Sequence, residues 1–156
     1  MHLKVAAVGQ RMPRWVSEAW DEYAKRLPAP LGLKLIEIPL ARRGRGADVG
    51  RARQQEGEAL LAAVPPGACR VALDIGGTPW STEQLARNLE QWMAGGRDVW
   101  FIVGGPDGLS DDLPAQCEHR WSLGPLTLPH SLARIIVVEQ LYRAWSIVNR
   151  HPYHRP

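Results

Sequence analysis

The sequence predicts an α/β fold in which a mainly parallel sheet carries helices on both faces, and two observations lead to this prediction. Short apolar runs typical of strands alternate with longer segments whose apolar residues recur at helical spacing. Such alternation is typical of parallel strands joined by crossover helices. In addition, no linker, repeat or low-complexity segment divides the 156 residues, a length that suits one domain. We therefore predict a single domain over residues 1–156.

Two strands and two helices are predicted in the first part of the chain. The first strand is a short apolar run that ends at Gly9, and the helix after it begins near Pro13. Asp48 is the predicted N-cap of the second helix, because an aspartate side chain accepts hydrogen bonds from the first helical N–H groups. In order, these elements are a strand at 3–9, a helix at 13–27, a strand at 33–40, a glycine-rich basic loop at 41–47 and a helix at 49–64.

Three further strands and two helices are predicted after the chain break at PPG. Ser81 and Gln84 have the spacing of a capping box, which marks the beginning of a helix. Ser131 is the predicted N-cap of the last helix. In order, these elements are a strand at 69–75, a turn at 76–80, a helix at 81–96, a strand at 98–105, a loop with one helical turn at 106–119, a strand at 120–126 and a helix at 131–149.

Positive charge is concentrated in two segments, although the formal net charge of the chain is only +3. Residues 42–53 contain a single acid, Asp48, and no acid follows Glu139. Two basic segments on an otherwise balanced chain indicate a polyanionic partner, and a solvated basic face is the alternative. The first segment contains Arg42, Arg43, Arg45, Arg51 and Arg53, and the second contains Arg143, Arg150, His151, His154 and Arg155.

The two cysteines, Cys69 and Cys117, fit neither a metal site nor a disulfide framework. They lack the Cys/His spacing of metal ligands, and two cysteines are too few for a stapled scaffold. The first residues lack the apolar run of a signal peptide or a membrane span. We expect a cytoplasmic protein with reduced thiols and no metal ion.

Glycine, proline and small apolar residues follow the third, fourth and fifth predicted strands, in the segments LDIGG, IVGGPDG and LGPLTLP. In parallel α/β sheets ligands bind outside the carboxyl ends of the strands. The segments offer backbone N–H and C=O groups, and they match neither the GxGxxG fingerprint nor a Walker A sequence. They favour a flat heterocycle such as adenine. Ordinary tight turns between strand and helix are the alternative.

The last predicted helix is apolar on almost every side. A surface helix normally has a polar face, so this one is either central in the domain or half covered by a second subunit. We favour a homodimer interface, because a chain of 156 residues offers little protein to bury the helix.

No side chain is a convincing nucleophile. His130, His151 and His154 suit acid–base chemistry or phosphate contacts, and ordinary surface histidines are the alternative.

Several segments together resemble the SPOUT-class methyltransferases of large-subunit ribosomal RNA. They are KVAAVGQRMPRWV, LIEIP, LDIGGTPWST, GRDVWFIVGGPDGLS, WSLGPLTLPHSLARIIVVEQLYRAWSI and the terminal HPYHR. They occur in the same order as in that family and cover essentially the whole chain. The combination of GGPDGL, LTLPH, EQLYRAW and HPYHR in one chain of this length is highly specific.

The resemblance implies an enzyme that transfers a methyl group from S-adenosylmethionine to N3 of a pseudouridine in 23S ribosomal RNA, on the assembled ribosome. It also implies a homodimer and an α/β knot, in which the C-terminal part, about residues 70–156, forms a trefoil and holds the cofactor. We expect a side chain at position 104 to point at this ligand. By the same resemblance the cofactor-binding residues are Leu73, Gly104, Leu123, Gly124, Pro125, Leu126, Thr127 and Leu128.

Methylation of pseudouridine N3 requires positioning and a group that accepts the N3 proton or stabilises the developing anion. Neither a metal ion nor a covalent intermediate is needed. The basic terminal segment and the helix before it offer the candidates. We predict His154 as the base, Tyr153 for stacking or orientation, Arg143 and Arg155 for phosphate contacts, and His130 and His151 as further substrate-binding residues.

Two other functions remain open from the sequence. A non-enzymatic ribosome-associated RNA-binding protein explains the basic segments equally well, but it leaves the three adjacent Gly/Pro loops unexplained. A methyltransferase of the same class that acts on another RNA base, or on tRNA, is the nearest enzymatic alternative.

Overall fold

The fold is a five-stranded parallel sheet, as the alternation of elements predicts. The computed structural model describes residues 1–44 and 48–156, so Arg45 of the first basic segment lies outside the described residues. All neighbouring strands are parallel, in the order β2-β1-β4-β3-β5. The strands are β1 (Leu3–Val8), β2 (Lys34–Ile38), β3 (Cys69–Thr78), β4 (Val99–Val103) and β5 (His119–Trp121).

Helices cover both faces of this sheet, which confirms the predicted fold class. The alternating side chains of β1 show the two faces: Val5 and Ala7 belong to one buried cluster, and Ala6 and Val8 belong to the other. The first cluster lies under α1, α3 and α4, and the second under α2. The helices are α1 (Arg14–Ala24), α2 (Val49–Ala63), α3 (Thr82–Gly95) and α4 (His130–Val148), with short 3₁₀ turns at Ala29–Leu31 and Pro114–Gln116.

The apolar helix α4 is central in the domain. It packs against α1 on one side and α3 on the other, and it crosses the sheet near β1 and β4. Val137, Val138 and Leu141 are completely buried by these contacts. A single chain therefore covers most of the apolar surface that favoured a subunit interface, so the apolar character of α4 alone no longer argues for one. The homodimer and the trefoil knot stay predictions.

Local signals identify two of the three predicted N-caps. The Asp48 side chain accepts a hydrogen bond from the Gly50 N–H group, and the Ser81 side chain accepts one from Gln84. The prediction for Ser131 is wrong, because α4 begins at His130 with Pro129 as its N-cap. The proline ring fixes φ, and Pro129 has the extended conformation (φ −57°, ψ 143°) that precedes the helix without any side-chain hydrogen bond.

The end of β3 differs from the prediction of a turn at 76–80. The strand continues to Thr78 after a register shift, so that both Leu73 and Thr78 pair with Trp121 of β5. Gly77 permits this return, because a Cβ atom there would lie 2.6 Å from the Arg120 carbonyl carbon. The predicted strand at 120–126 is correspondingly wrong in extent: β5 ends at Trp121 and the following residues form a loop.

Candidate active site

A cavity of about 1000 Å³ lies at the carboxyl ends of β3, β4 and β5. Most of its wall comes from the three segments that follow these strands, and α2 and α4 contribute the rest. Because β4, β3 and β5 are adjacent in the sheet, the three Gly/Pro segments meet at one edge, as predicted. The predicted pocket is therefore formed by backbone-rich loops from distant parts of the sequence.

Most of the predicted cofactor-binding residues line this cavity. Pro125 is the exception, because it lies in the exposed middle of the 123–128 loop and is absent from the walls. The lining residues among those predicted are Leu73, Gly104, Leu123, Gly124, Leu126, Thr127 and Leu128.

The loop after β4 is folded tightly on itself. The Gly108 N–H group donates to the Gly105 carbonyl at 3.0 Å, which closes a turn. A Cβ atom on Gly104 would lie 2.6 Å from the Gly108 carbonyl carbon and 2.8 Å from the Leu109 nitrogen. A side chain at position 104 would therefore collide with the loop backbone, and the expectation that it points at a ligand is wrong.

The loop after β5 begins with a backbone conformation that favours glycine. Gly124 has φ +117°, and the buried Ser122 side chain accepts a hydrogen bond from the Gly124 N–H group at 3.1 Å. The same hydroxyl donates to the Gly124 carbonyl at 3.3 Å. Ser122 thus fixes the start of the 123–128 wall. Sequence reasoning missed it, because a serine near a strand end carries no distinctive signal.

Two arginines of the first basic segment hold the loop after β4 in place. The Arg53 guanidinium donates to the Leu109 carbonyl and to Asp111, at 3.1 Å and 3.0 Å. The Arg43 side chain donates to Asp107 at 2.7 Å and also binds Glu56. The basic segment is therefore partly engaged within the chain, so not all of its arginines are available to a polyanionic partner.

Glu56 anchors this arrangement from inside α2. Its side chain is 2% exposed and accepts hydrogen bonds from Arg43 and from the Ala41 N–H group, at 2.7 Å and 3.0 Å. A buried carboxylate of this kind requires such partners. Among the arginines of the segment that the structure describes, Arg42 and Arg51 are exposed, and they remain candidates for contact with a polyanion.

His130 is the predicted substrate-binding residue that lies at the cavity. It is the first residue of α4 and contributes to the cavity wall. A Cβ atom on Gly9 would lie 3.4 Å from its Nε2 atom and 3.5 Å from Arg134 Nη2, so the ring is close to a buried cation. Burial lowers the pKa of His130, and the charge of Arg134 lowers it further. The neutral imidazole is favoured there.

The terminal residues fold back on the last turns of α4. The Tyr153 hydroxyl donates to Glu139 Oε1 at 3.1 Å, and the Tyr153 ring lies 4.6 Å from that of Tyr142. The Arg143 guanidinium stands over the Tyr153 ring at 4.7 Å and pairs with Glu139 at 2.8 Å. Burial raises the pKa of Tyr153, and the nearby Glu139 carboxylate raises it further. The end of the chain is thus an ordered part of the structure.

His154 joins the same cluster. Its Nδ1 atom lies 3.3 Å from Arg143 Nη1, and its Nε2 atom lies 3.3 Å from Glu83 Oε1 on α3. His151 and Arg155 are exposed, and the His151 ring accepts a hydrogen bond from the Tyr153 N–H group at 3.2 Å. The predicted catalytic residues Arg143, Tyr153 and His154 are therefore brought together by the fold.

The cavity and this terminal cluster lie at opposite ends of α4. His130 begins the helix at the cavity, and Arg143 is thirteen residues further along it. At a rise of about 1.5 Å per residue, the two positions are roughly 20 Å apart. Within one chain the structure does not bring the predicted catalytic residues to the predicted cofactor pocket.

Neither cysteine suits nucleophilic chemistry. Burial raises the pKa of both thiols, Cys69 and Cys117, to about 11. The fold does bring Cys69 together with Glu118 and His119, with ligand atoms within 4.8 Å, a grouping that sequence spacing did not indicate. The Glu118 carboxylate in this group is engaged by Arg97 at 3.1 Å.

The adenosylmethionine that the resemblance implies fits the cavity. A cavity of about 1000 Å³ is at the upper end of the range for small-molecule sites. Val103, Leu73 and Leu128 supply apolar wall for a flat base, and the glycine-rich loops leave backbone groups close to the ligand. The fold therefore supplies the surfaces that such a cofactor needs.

Among the residues that the structure describes, no helix combines the length and the hydropathy that crossing a membrane requires.

Comparison with protein families matches residues 1–154 of the chain to a family described as "Predicted SPOUT methyltransferase". The chain is similar over nearly its whole length to proteins named ribosomal RNA large subunit methyltransferase H. The relative from Pseudomonas paraeruginosa is 59% identical over 155 residues, which cover 99% of this chain and 100% of the relative. The relative from Ectopseudomonas mendocina is 57% identical with the same coverage.

Two solved structures share the fold at low sequence identity. A probable methylase family protein from Haemophilus influenzae has a TM-score of 0.55 and 11% identity, covering 99% of this chain and 70% of that one. TrmJ from Z. mobilis has a TM-score of 0.56 and 17% identity, covering 100% of this chain and 72% of that one. These likenesses concern the fold alone.

Proposed function

The chain belongs to the SPOUT methyltransferase family, and from this premise we propose that it transfers a methyl group from S-adenosylmethionine to ribosomal RNA of the large subunit. The observation that carries the proposal is the cavity built from the three loops at the ends of β3, β4 and β5. Relatives 59% identical over the full length are named for large-subunit ribosomal RNA methylation, which supports the substrate class. The finer proposal is that the target is N3 of a pseudouridine in 23S RNA of the assembled ribosome.

The cavity holds the cofactor, which when bound supplies an electrophilic methyl group. Leu73, Val103 and Leu128 would hold the adenine, and the backbone of the loops at 104–109 and 123–128 would offer hydrogen-bonding groups to its polar edge. Gly124 and Ser122 set the path of the second loop. The chain's contribution is to orient the cofactor and to exclude water from the methyl group.

The terminal cluster is the proposed substrate-activating group. Pseudouridine N3 must lose its proton before or during attack, and His154 is the proposed acceptor. Its Nδ1 atom can take this proton once the contact with the Arg143 N–H group opens. Arg143 lies beside this ring and offers a cation for a phosphate or a developing anion. Tyr153, held by Glu139, orients Arg143 through its ring.

The cavity and the terminal cluster lie at opposite ends of α4 in one chain, and a second copy of the chain would bring a terminal cluster to each cavity. We expect a homodimer in which the terminal cluster of one subunit stands at the cavity of the other. Apolar side chains near the cavity support this arrangement: Leu126 is 74% exposed and Ile75 is 69% exposed, and Leu132 follows on the first turn of α4. Exposed apolar surface of this kind marks interaction sites.

The decisive experiment has two parts. Calorimetry with the purified protein tests cofactor binding, and we expect saturable binding of S-adenosylmethionine with one site per chain. Transfer of a labelled methyl group is then measured on ribosomes, large subunits and free 23S RNA, and the modified nucleotide is mapped by mass spectrometry. Binding of RNA without binding of the cofactor would favour the non-enzymatic alternative, and a label on another base would favour the other enzymatic one.

A further inference from the structure

An ion pair between β3 and β5 lies on the cavity wall. Arg120 Nη2 is 2.6 Å and its Nε is 2.8 Å from the same carboxylate oxygen of Asp74. The other oxygen of Asp74 accepts a hydrogen bond from the Gly76 N–H group at 3.2 Å. Both charged residues line the cavity. The pair therefore holds a guanidinium at a fixed place beside the proposed cofactor.

The backbone around this pair fixes the position of the guanidinium. The register shift in β3 returns Thr78 to Trp121, so residues 74–77 form a projection beside β5. A Cβ atom on Gly76 would lie 3.4 Å from Arg120 Nη2, so this projection leaves room for the arginine but little more. A side chain set between a strand and a projection in this way is already ordered, and it loses little freedom when it binds a ligand.

Arg120 also has N–H groups that can donate hydrogen bonds to a ligand in the cavity. A guanidinium has five N–H donors, and within the described part of the chain its side-chain hydrogen bonds go to one oxygen of Asp74. Its side chain is 52% exposed, whereas that of Arg53, the other arginine on the wall, is 26% exposed and occupied by Leu109 and Asp111. Arg120 is therefore the cavity-wall arginine that is available to a bound anion.

The cofactor carries an anionic group, and the backbone of the loops supplies no positive charge to pair with it. Its methionyl part ends in an α-carboxylate, and guanidinium groups recognise carboxylates by parallel N–H···O hydrogen bonds. We propose that Arg120, held in place by Asp74, binds the α-carboxylate of the methionyl part of S-adenosylmethionine. This inference rests on the proposed function, and it assigns Asp74 as a positioning residue rather than a direct contact.

The ion pair also stabilises the projection of β3, so a test must separate ligand recognition from a structural role. Comparing the affinities for S-adenosylhomocysteine and 5′-methylthioadenosine separates these two roles. Both contain adenosine and a thioether, but only the first has the amino-acid carboxylate. Damage to the fold of the cavity weakens both ligands, whereas loss of a carboxylate contact weakens only the first.

The experiment is calorimetric titration of both nucleosides into the full-length protein and four variants. For Arg120→Gln we expect the affinity for S-adenosylhomocysteine to fall about 10- to 100-fold, the range for a hydrogen bond to a charged group. The affinity for 5′-methylthioadenosine should change less than about threefold, since no interaction with that ligand is removed. Arg120→Lys should recover part of the loss, and Asp74→Asn should show the same ligand selectivity with a smaller effect.

Arg97→Gln is the matched control. It removes another exposed arginine–carboxylate pair, with Glu118, that is outside the cavity, and it should leave both affinities unchanged. Equal losses of both ligands in Arg120→Gln, or no loss of either, would overturn the inference while leaving the proposed function intact. Wild-type protein that bound neither nucleoside would overturn the proposed function, and the inference with it. If Arg120→Gln fails to fold, the selectivity of Arg120→Lys decides between the same outcomes.

Discussion

Tyr153 donates its hydroxyl hydrogen to Glu139 Oε1 at 3.1 Å, across fourteen residues of chain. This contact turns the last residues back onto α4 and places Arg143 between a carboxylate and an aromatic ring. A segment that the sequence presents as a loose basic end is therefore built into the surface of the domain. Removal of this segment should therefore affect both the stability of the protein and methyl transfer. Two different variants separate these effects.

Deletion of residues 151–156 should abolish methyl transfer and leave cofactor binding intact. The deleted residues contribute nothing to the cavity of their own chain, whereas His154 and Tyr153 belong to the proposed substrate-activating cluster. Tyr153→Phe is the milder variant, and loss of its hydrogen bond should cost about 1 kcal/mol of unfolding free energy. Calorimetry and a methyl-transfer assay on ribosomes check the prediction. Unchanged transfer by the deleted protein would make the terminal segment passive.

His130 should make the stability of the protein depend on pH below about 6.5, the ordinary pKa of histidine. Its pKa is lowered in the fold, so the unfolded chain takes up the proton first as the pH falls. The unfolding free energy should therefore decrease from about pH 6.5 down to the lowered pKa, and level off below it. In the His130→Gln variant, this decrease in unfolding free energy with falling pH should disappear. Denaturant titrations of the wild-type protein and of His130→Gln across this pH range check the prediction, and equal slopes for the two proteins would contradict it.

Gly104→Ala should disrupt the loop after β4 rather than fill the cavity. The added Cβ atom would lie 2.6 Å from the Gly108 carbonyl carbon, so the loop must move. We expect a loss of about 1–3 kcal/mol in unfolding free energy, as for overpacking, together with weaker cofactor binding. Gly95→Ala at the end of α3 is the control, because nothing lies within 4 Å of its Cβ position. Wild-type stability and affinity in Gly104→Ala would place the cofactor away from this loop.

The protein should be a homodimer in solution, with a mass twice the 17.4 kDa of one chain. Leu132→Glu should shift it toward the monomer, because this side chain is 37% exposed on the first turn of α4 and a charge there opposes apolar contact. Light scattering over a concentration series measures the mass of the wild-type protein and the shift toward monomer in Leu132→Glu. Trp15→Glu, which changes the 52% exposed tryptophan on α1, is the control.

Complementation tests whether two subunits share one site. A variant without residues 151–156 should be inactive alone, and a variant with Gly104→Ala should have little activity at a cofactor concentration too low for its weakened binding. Mixed under exchange conditions, they should recover about a quarter of wild-type activity, since random pairing gives half heterodimers, each with one intact shared site. No recovery, despite heterodimer formation shown by mass spectrometry, would mean that each chain works alone.

Affinity for ribosomal RNA should fall with rising salt concentration. Arg42→Gln and Arg51→Gln should each reduce the log–log slope by about 0.7–0.9, the value for one lost phosphate contact. These side chains are exposed, whereas Arg43 is bound to Glu56 and Asp107. Filter binding at several salt concentrations measures the slope, with exposed Arg87→Gln on α3 as the control. Equal slopes for all variants would place the RNA on another surface.

The features that the sequence predicts well are local ones. Asp48 and Ser81 cap helices through hydrogen bonds to residues two and three positions away, so their role is contained in a few letters of sequence. The parallel sheet and its adjacent strand ends follow from the alternation of elements. The individual residues of the cavity wall follow from resemblance to a family rather than from spacing.

The features that the sequence does not predict depend on distant segments. Gly77 continues a strand instead of forming a turn because β5 lies beside it, and β5 is more than forty residues away. The sequence does not show that Arg43 and Arg53 are paired within the chain, because their partners, Asp107 and Asp111, follow another strand. The apolar α4 was ambiguous for the same reason, since only the packing of α1 and α3 on either side shows that it is central.

The strand order has a consequence for how the chain folds during synthesis. β1 lies between β2 and β4, and its residue Leu3 pairs with Val99, while the His2 N–H group donates to Asp98 at 2.8 Å. The middle of the sheet therefore stays open until about two thirds of the protein has left the ribosome. Contacts of such long sequence separation slow folding and leave strand edges exposed. A nascent chain that stalls before Val99 has no partner for one edge of β1, so it should depend on chaperones until synthesis resumes.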